Sequence, residues 1–437
     1  MKILFVQSLA YIPCYGGANK SNRALVEGLA LRGHNCRVVA AATPDVYPQP
    51  KAQLRKELTA RGISVTASSA GKLVFHHKGV EVHAAVDGFH LRSEMRSQIS
   101  EFEPEITLVS SEDPAQTLLE GAIEMNSSRV ASIVHTPMAL PFGPASFLVS
   151  PARAALFKQT VGVITIGPYL KRYMLQWGGV DSAAIVPPVF GHGPFPRFRN
   201  FDSGLITLIN PSAIKGLSIF LALARAFPDA NFGAVPTWAT TNADLANLGQ
   251  LPNVRILKPA DEIDEILSQT GVLLVPSLWD EGFGYVIVEA MLRGIPVLAS
   301  DVGGAPEAKL GVDYLLPVNP ITQYEERMDD RRLPVPITPA QNIGPWVEAL
   351  RGLLSDRTRY EELSDASREA ALSYVSKLGI APFEQFLMNL PPGPPSSQTN
   401  DLSNSASPAK RDASLLNQLS PERRALLALK LKAKREN

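Results

Sequence analysis

The stretch PSLWDEGFGYVIVEA occupies residues 276–290 and directly follows the apolar run VLLV of residues 272–275. A short apolar run, a turn with two glycines and a longer apolar segment predict a buried strand, a turn and a helix that begins near Gly284. Glycines let backbone N–H groups approach a ligand, and the N-terminus of a helix favours an anion. The stretch therefore predicts a strand–turn–helix unit that binds an anionic group.

The same unit contains two carboxylates whose positions suit a ligand rich in hydroxyl groups. Glu281 lies just before the predicted helix, and Glu289 lies one to two turns inside it. Because each carboxylate has two acceptor oxygens, it can accept hydrogen bonds from neighbouring hydroxyls. We expect one carboxylate to contact a sugar and the other to contact a ribose. The alternative is that both are solvated helix residues.

Short β-branched runs alternate with helical patterns on both sides of this unit. The alternation predicts parallel sheets with right-handed crossovers. The candidate strands are Ile3 to Val6, Cys36 to Ala40, Ile106 to Val109, Val130 to Val134, Gly162 to Ile166, Ile206 to Ile209, Asn231 to Ala234, Val254 to Leu257, Val272 to Val275, Val297 to Ala299 and Tyr314 to Leu316. The candidate helices include Ser21 to Arg32, Pro114 to Met125, Gly216 to Ala226, Ala260 to Gln269 and Tyr285 to Arg293. The predicted fold is α/β, with two Rossmann-like, doubly wound domains that face each other across a cleft.

Changes in composition along the chain predict the domain boundaries. Proline, glycine and aromatic residues interrupt the alternation between the two halves, and a Pro/Gly and then Ser/Asn-rich segment that cannot pack a core follows the second half. The predicted segments are an N-terminal domain over 1–190, a linker over 191–203, a second domain over 204–378, a terminal helix that crosses back to the first domain over 379–390, a flexible linker over 391–413 and a short basic amphipathic helix over 414–437.

The whole-chain composition excludes several classes of protein. Lys plus Arg and Asp plus Glu both total 42, so the zero net charge argues against a nucleic-acid partner. The two cysteines, Cys14 and Cys36, form neither a disulfide framework nor a zinc pattern. No apolar run approaches the ~18 residues of a membrane span. We therefore expect a cytoplasmic protein.

At residues 281–289 the sequence resembles the retaining GT-B glycosyltransferases of family 4, which carry two glutamates separated by seven residues in this unit. The continuations AMLRGIPV (290–297) and SDVGGAPE (300–307) also resemble that family. The likeness extends over residues 1–390 and is densest over 271–307. It implies transfer of a hexose from a nucleoside diphosphate sugar, with a UDP-sugar favoured, with retention of configuration and with no metal or other cofactor.

A second element, NPSAIKG at residues 210–216, follows the first predicted strand of the second half. The family usually has a diphosphate-binding Arg and Lys here, and Lys215-Gly216 matches its end. Asn210 stands where the Arg is common, so it can donate a hydrogen bond but carries no charge. The alternative for Lys215 is a solvated lysine at a helix start, where the helix dipole disfavours a cation.

Two further elements lie in the first half, each after a predicted strand. Tyr15-Gly16-Gly17 resembles the family loop that faces the donor phosphates, although a plain tight turn would look the same. His135 occupies the position of a family histidine near the sugar and the acceptor, and its alternative is a structural histidine. Glu112 and Asp113 form a weaker candidate for contact with the acceptor.

The resemblance therefore implies a defined set of site residues. The catalytic candidates are His135, Glu281 and Lys215. The donor-binding candidates are Gly16, Gly17, Asn210, Lys215, Gly216, Glu281, Gly282, Phe283, Gly284 and Glu289.

The acceptor is the least constrained part of the prediction. Residues 419–431 resemble the short helix that precedes condensation domains in nonribosomal peptide synthetases, which favours a bacterial natural product as acceptor. A cell-surface polysaccharide or a glycolipid is the alternative. The basic residues of 414–437 could contact a biosynthetic megasynthase or a membrane surface. Alternatives of another class are a phosphorylase or epimerase of related fold and a non-catalytic nucleotide-sugar-binding or partner-docking protein.

Overall fold

The computed structural model of the chain describes residues 1–14, 16–43, 49–125 and 129–392. Tyr15 lies outside the described residues. So do the predicted linker from residue 393 onwards and the predicted basic helix over 414–437. Among the described residues, no helix combines the length and the apolar character that crossing a membrane requires.

The first half of the chain folds around one large sheet. Its strands are β1 (Lys2–Ala10), β2 (Asn35–Ala41), β3 (Val65–Ser68), β4 (Lys72–His77), β5 (Val80–Ala85), β6 (Ile106–Ser110), β7 (Arg129–Val134), β8 (Gly162–Thr165) and β9 (Ala183–Ala184). Its helices are α1 (Gly17–Leu31), α2 (Pro50–Ala60), α3 (Gly88–Phe102), α4 (Thr117–Met125), α5 (Pro151–Phe157) and α6 (Pro168–Tyr173). The strand order is β3-β4-β5-β2-β1-β6-β7-β8-β9, so the order reverses between β1 and β6.

One edge of this sheet differs from the parallel arrangement expected from the sequence. β3 and β4 run antiparallel to each other, β4 runs antiparallel to β5, and β5 is a strand that the alternation did not predict. Charged residues such as Glu81 and His83 interrupt the apolar run of β5, which hides it from a search for continuous apolar strands. Lys78 and Gly79 have φ of 47° and 79°, as the two-residue turn of a hairpin requires.

The second half folds around another parallel sheet. Its strands are β10 (Leu205–Ile209), β11 (Phe232–Val235), β12 (Val254–Ile256), β13 (Thr270–Val275), β14 (Val297–Ser300) and β15 (Leu315–Leu316), and a separate hairpin comprises β16 (Tyr324–Met328) and β17 (Pro334–Pro336). Its helices are α7 (Leu217–Ala226), α8 (Asn242–Leu248), α9 (Asp264–Leu267), α10 (Tyr285–Leu292), α11 (Ala305–Ala308), α12 (Gly344–Ser355), α13 (Arg357–Val375) and α14 (Ala381–Met388). The strand order β12-β11-β10-β13-β14-β15 reverses between β10 and β13. Ligands of open α/β sheets bind at such a reversal, outside the carboxyl ends of the strands.

Alternate residues of β13 show which helices cover each face of the second sheet. Val272 and Leu274 pack in the hydrophobic cluster that contains residues of α7, α8 and α12. Leu273 and Val275 pack in the cluster that contains α10 and α11. Because successive side chains of a strand point to opposite faces, α7 and α8 lie on one face and α10 lies on the other.

Helix α14 follows the long helix α13 and packs against the first half of the chain. A side-chain carbon added at Gly28 of α1 would lie 3.1 Å from Ile380, and one added at Gly162 of β8 would lie 2.5 Å from Leu390. The Glu384 carboxylate accepts a hydrogen bond of 2.7 Å from the Arg32 guanidinium. The apolar side chains of α14 and of the residues that flank it, such as Phe386, Ile380 and Leu390, therefore pack against α1 and β8.

We predict that Phe383→Ala destabilises the chain strongly, because Phe383 is fully buried in the cluster beside the first sheet. Truncating a buried phenylalanine should lower the free energy of unfolding by about 3–5 kcal/mol, measured by equilibrium denaturation in urea. Met388→Ala is the matched control, because Met388 lies on the same helix but is 62% exposed. A loss below about 1 kcal/mol for Phe383→Ala would contradict the packing of α14.

Candidate active site

The turns after β10 and β13 meet at the reversal of the second sheet. A side-chain carbon at Gly216 would lie 1.8 Å from the carbonyl oxygen of Pro276, and Gly216 has a φ of 78°. Any residue with a side chain would both clash and be strained there. Gly216 therefore permits the close contact between the two turns, and this contact brings Lys215 beside the turn that carries Glu281.

Lys215 and Glu281 form an ion pair at this contact. The Lys215 ammonium donates a 2.5 Å hydrogen bond to Oε1 of Glu281, which also accepts a 2.5 Å hydrogen bond from the Ser277 hydroxyl. The two side chains are 17% and 10% exposed, and Nζ of Lys215 lies 4.5 Å from the ring centroid of Trp279. Neither residue is thus solvated, and the solvated alternative for Lys215 and Glu281 is wrong.

The charge of Glu281 depends on these neighbours. Burial raises the pKa of the Glu281 carboxyl, but Lys215 and the Ser277 hydroxyl outweigh burial and hold the pKa below its ordinary value. The carboxylate is therefore ionised at neutral pH. A buried ion pair with a second hydrogen bond can exist in the interior, whereas removing one partner would leave an uncompensated charge.

Asn210 occupies the start of the turn after β10 and is 4% exposed. Its Oδ1 accepts hydrogen bonds from the backbone N–H of Ala239, at 3.1 Å, and from the Thr240 hydroxyl, at 3.4 Å. Its buried Nδ2 has no hydrogen-bond partner among the described residues. An unpaired buried donor is costly, so Nδ2 of Asn210 is left available to a further hydrogen-bond acceptor, on the same turn as Lys215.

Glu289 lies within α10 and is 8% exposed, so it too is not a solvated residue. Its carboxylate lies 3.7 Å from the ammonium of Lys20, which belongs to α1 in the first half. The helix begins after Gly284, and its free backbone N–H groups therefore face the same turn as Glu281. Glu289 thus lies on the side of the site where α10 faces helix α1 of the first half.

His135 follows β7 and is 5% exposed. Its Nε2 lies 2.6 Å from Oδ1 of Asn22. Because Nδ2 of Asn22 donates to Gln7 and Ser110, Oδ1 must be the acceptor, and Nε2 of His135 carries the proton. Burial lowers the pKa of His135 to about 3, so the ring is neutral and its Nδ1 is an acceptor. No described residue hydrogen-bonds to Nδ1.

Glu112 follows the neighbouring strand, β6, and joins the same hydrogen-bond network. Its Oε2 accepts a short hydrogen bond from the Ser110 hydroxyl, which also accepts one from Asn22. Burial raises the pKa of Glu112 to about 7, and its Oε1 has no hydrogen-bond partner among the described residues. Asp113 instead accepts hydrogen bonds from Thr117 and Leu118 at the start of α4, which is a structural role.

Direct contacts bring the loops of the two halves together around these side chains. A side-chain carbon at Gly282 would lie 1.9 Å from the carbonyl oxygen of His135. The Tyr169 hydroxyl donates a 2.6 Å hydrogen bond to Asp280, one residue before Glu281. The structure thus brings His135, from the first half, against the turn of Glu281, from the second.

Of the remaining predicted residues, Gly16 and Gly17 lie at the contact between the two halves, whereas Phe283 does not face the site. A side-chain carbon at Gly16 would lie 3.6 Å from Trp238, and one at Gly17 would lie 3.0 Å from Tyr285, so this loop packs on rings of the second half. Phe283 is 2% exposed, and its ring stacks on that of Tyr374, so it packs in the core. Within the described ranges, no three side chains of His, Cys, Asp or Glu are placed to hold a metal ion.

Sequence reasoning missed the residues that hold the predicted ones in place. Asn22 fixes the protonation of His135, and Ser277 and Trp279 contact the Lys215–Glu281 pair. A sequence signal existed for Asn22, because it lies at helical spacing from the buried residues Leu25 and Val26. A polar residue on an apolar stripe indicates a buried hydrogen bond.

Comparisons with known proteins agree with this architecture. Residues 237–330 match the protein family described as Glycosyl transferases group 1. Over 132 residues the chain is 33% identical to alpha-maltose-1-phosphate synthase of Mycolicibacterium smegmatis, a match that covers 29% of this chain and 29% of that protein. The chain thus matches less than a third of that relative's length.

Two solved structures show the fold. Sucrose-phosphate synthase from Thermosynechococcus elongatus has a TM-score of 0.64 at 15% identity, over 89% of this chain and 99% of the other. HepE of Anabaena, solved with UDP and glucose, has a TM-score of 0.58 at 15% identity, over 89% and 98%. The chain has the two-domain GT-B fold, as predicted, and residues 237–330 of its second half are similar to the group 1 glycosyltransferase family.

We predict that Gly282→Ala separates the turn of Glu281 from His135, because the added carbon would overlap the backbone oxygen of His135. Overpacking of this kind should cost about 1–3 kcal/mol of stability. Amide hydrogen exchange should become faster in residues 134–137 and 280–284. Gly249→Ala is the control, because its added carbon would meet neighbours no closer than 3.5 Å. Unchanged exchange in Gly282→Ala would refute the contact.

Proposed function

We propose that this chain transfers a hexose from a nucleoside diphosphate sugar, with a UDP-sugar favoured, to an acceptor hydroxyl with retention of configuration. The observation that carries the proposal is the buried Lys215–Glu281 pair at the reversal of the second sheet. The match of residues 237–330 to the glycosyltransferase family supports it. The similarity in fold to HepE, which was solved with UDP and glucose, supports the choice of donor.

The leaving diphosphate would be held by three groups of the second half. Lys215 supplies the positive charge, the N-terminus of α10 supplies backbone N–H groups, and Nδ2 of Asn210 supplies a further donor. A diphosphate carries more negative charge than the carboxylate of Glu281 and competes with it for the Lys215 ammonium. In this proposal the diphosphate charge is met by these residues, without a metal.

The two ends of the donor would be recognised by carboxylates and by His135. Glu289, on α10, would accept hydrogen bonds from the ribose hydroxyls, and Glu281 would accept them from the sugar once the diphosphate engages Lys215. The neutral His135 can accept a hydrogen bond from a sugar hydroxyl at Nδ1 but cannot protonate a leaving group, because its pKa lies at about 3.

The proposed reaction balances without further reactants. The bond between the anomeric carbon and the diphosphate oxygen breaks, and a bond from that carbon to the acceptor oxygen forms on the same face. The acceptor proton passes to the leaving diphosphate, so the products are a glycoside and a nucleoside diphosphate. Lys215 and the backbone N–H groups stabilise the negative charge that develops on the diphosphate.

The acceptor is proposed to be a natural product, because residues 419–431 resemble the helix that precedes condensation domains in nonribosomal peptide synthetases. The same residues lead us to propose contact between 414–437 and a biosynthetic megasynthase or a membrane surface.

We predict that Lys215→Ala lowers kcat about 100-fold with the preferred UDP-sugar, which corresponds to roughly 2.7 kcal/mol of barrier. The loss follows because the leaving diphosphate would lack its cation. Release of UDP measured at saturating donor gives kcat. Lys158→Ala is the control, because Lys158 is an exposed lysine at the end of α5. Turnover within about threefold of the parent would place the neutralising charge elsewhere.

We predict that Glu289→Ala weakens UDP binding by roughly 1–3 kcal/mol, the cost of losing a charge-assisted hydrogen bond to the ribose. Isothermal titration with UDP measures it. The carboxylate of Glu289 has an ion-pair partner in Lys20 and a proposed partner in the ribose. Lys20→Ala separates these two roles, because it removes the ion-pair partner and leaves Glu289 in place. Lys20→Ala should change the affinity by less than about 1 kcal/mol. Equal affinities for Glu289→Ala and the parent would refute ribose binding.

A further inference from the structure

A cavity of about 330 Å³ lies beside the proposed donor site. Its walls come from the turn after β10, from the loop after β11 and helix α8, and from the hairpin of β16 and β17. The apolar lining includes Ile214, Leu333 and Val335, and Phe147 of the first half. This volume falls in the range of small-molecule pockets in proteins.

The cavity is separate from the place proposed for the donor nucleoside. Glu289 and α10 lie on one face of the second sheet, whereas α7 and α8 lie on the other. The cavity is bounded by α8 and by Ile214, which directly precedes Lys215. The cavity therefore lies on the side of the second sheet opposite α10, and a residue of its wall is adjacent in the chain to Lys215.

The hairpin that covers the cavity is anchored to both halves of the chain. The Arg331 guanidinium donates a 2.7 Å hydrogen bond to the Thr240 carbonyl, and Asp330 accepts one of 3.0 Å from the backbone N–H of Asn242. The ring of Tyr324 packs edge-on against Phe147 with centroids 4.9 Å apart. Residues from both halves of the chain therefore form the walls of the cavity.

Several polar groups around the cavity make hydrogen bonds within the protein. Asp244 accepts hydrogen bonds from Thr241 in the cap of α8, and Asp329 accepts them from the backbone of Arg331 and Leu333. Arg327 pairs with Glu325. Most of the surface that lines the cavity is apolar, so an apolar ring system would bury surface against these walls, whereas a glycan would leave many of its hydroxyls facing apolar side chains.

We propose that this cavity binds the apolar ring portion of a small-molecule acceptor, whose hydroxyl then points toward the site of Lys215 and Glu281. This inference rests on the proposed function and deepens it by naming the class of acceptor. It disfavours an acceptor that consists of sugars alone. It also gives the hairpin of β16 and β17 a role in selecting the acceptor.

The test uses the full chain saturated with UDP and two probes, the aromatic alcohol 2-naphthol and the glycan maltotriose, with binding followed by saturation-transfer NMR. Val335→Asp places a charge in the cavity, and Ala243→Trp fills it from α8. Ile337→Asp is the matched control, because Ile337 is 50% exposed and follows β17 outside the cavity. Melting temperatures verify that each variant is folded.

We expect 2-naphthol to bind the parent more tightly than maltotriose does. Both cavity variants should weaken 2-naphthol at least tenfold, and Ile337→Asp should change it less than twofold, with UDP affinity equal in all. Failure of 2-naphthol to bind the UDP-saturated parent, or retention of its affinity in both cavity variants, would overturn the proposal. Absence of UDP binding would instead refute the donor site, while loss of 2-naphthol in the cavity variants would still support the cavity.

Discussion

The buried ion pair between Lys215 and Glu281 is the interaction on which the rest of the site depends. Removing two charges from water is costly, and the pair compensates by a short ion contact, by the Ser277 hydroxyl and by the ring of Trp279. The cation of this pair is the group that an incoming diphosphate would attract in the proposed reaction. The pair thus places a positive charge at the turn after β10, where the proposed chemistry uses it.

The backbone has to bring several turns unusually close together for this pair to exist. Gly216 lets the turn after β10 touch Pro276, and Gly282 lets the turn of Glu281 touch the carbonyl of His135. The first contact brings Lys215 to Glu281 at the end of the second sheet. The second contact places His135, a neutral histidine of the first half, against the turn that carries Glu281. These two glycines therefore permit the backbone contacts that bring Lys215, Glu281 and His135 together.

The sequence predicted the parts of this arrangement that follow from local patterns. Apolar strands such as β13, and the turn and helix around Glu281 and Glu289, agree with the structure because strand, turn and helix each have a local signature. The antiparallel edge of β3 and β4 was missed because its strands are short and carry polar residues, among them two histidines. The pairing of Lys215 with Glu281 could not be predicted, because it depends on two turns 66 residues apart in the chain. The free Nδ2 of Asn210 depends in the same way on Ala239 and Thr240.

A crystal structure of the chain with UDP would show directly whether Lys215 binds the diphosphate. We predict a diphosphate oxygen within about 3 Å of Nζ of Lys215, above the N-terminus of α10, with the contact between Lys215 and Glu281 lengthened beyond its present 2.5 Å. A diphosphate bound elsewhere, with the Lys215–Glu281 pair unchanged, would contradict it.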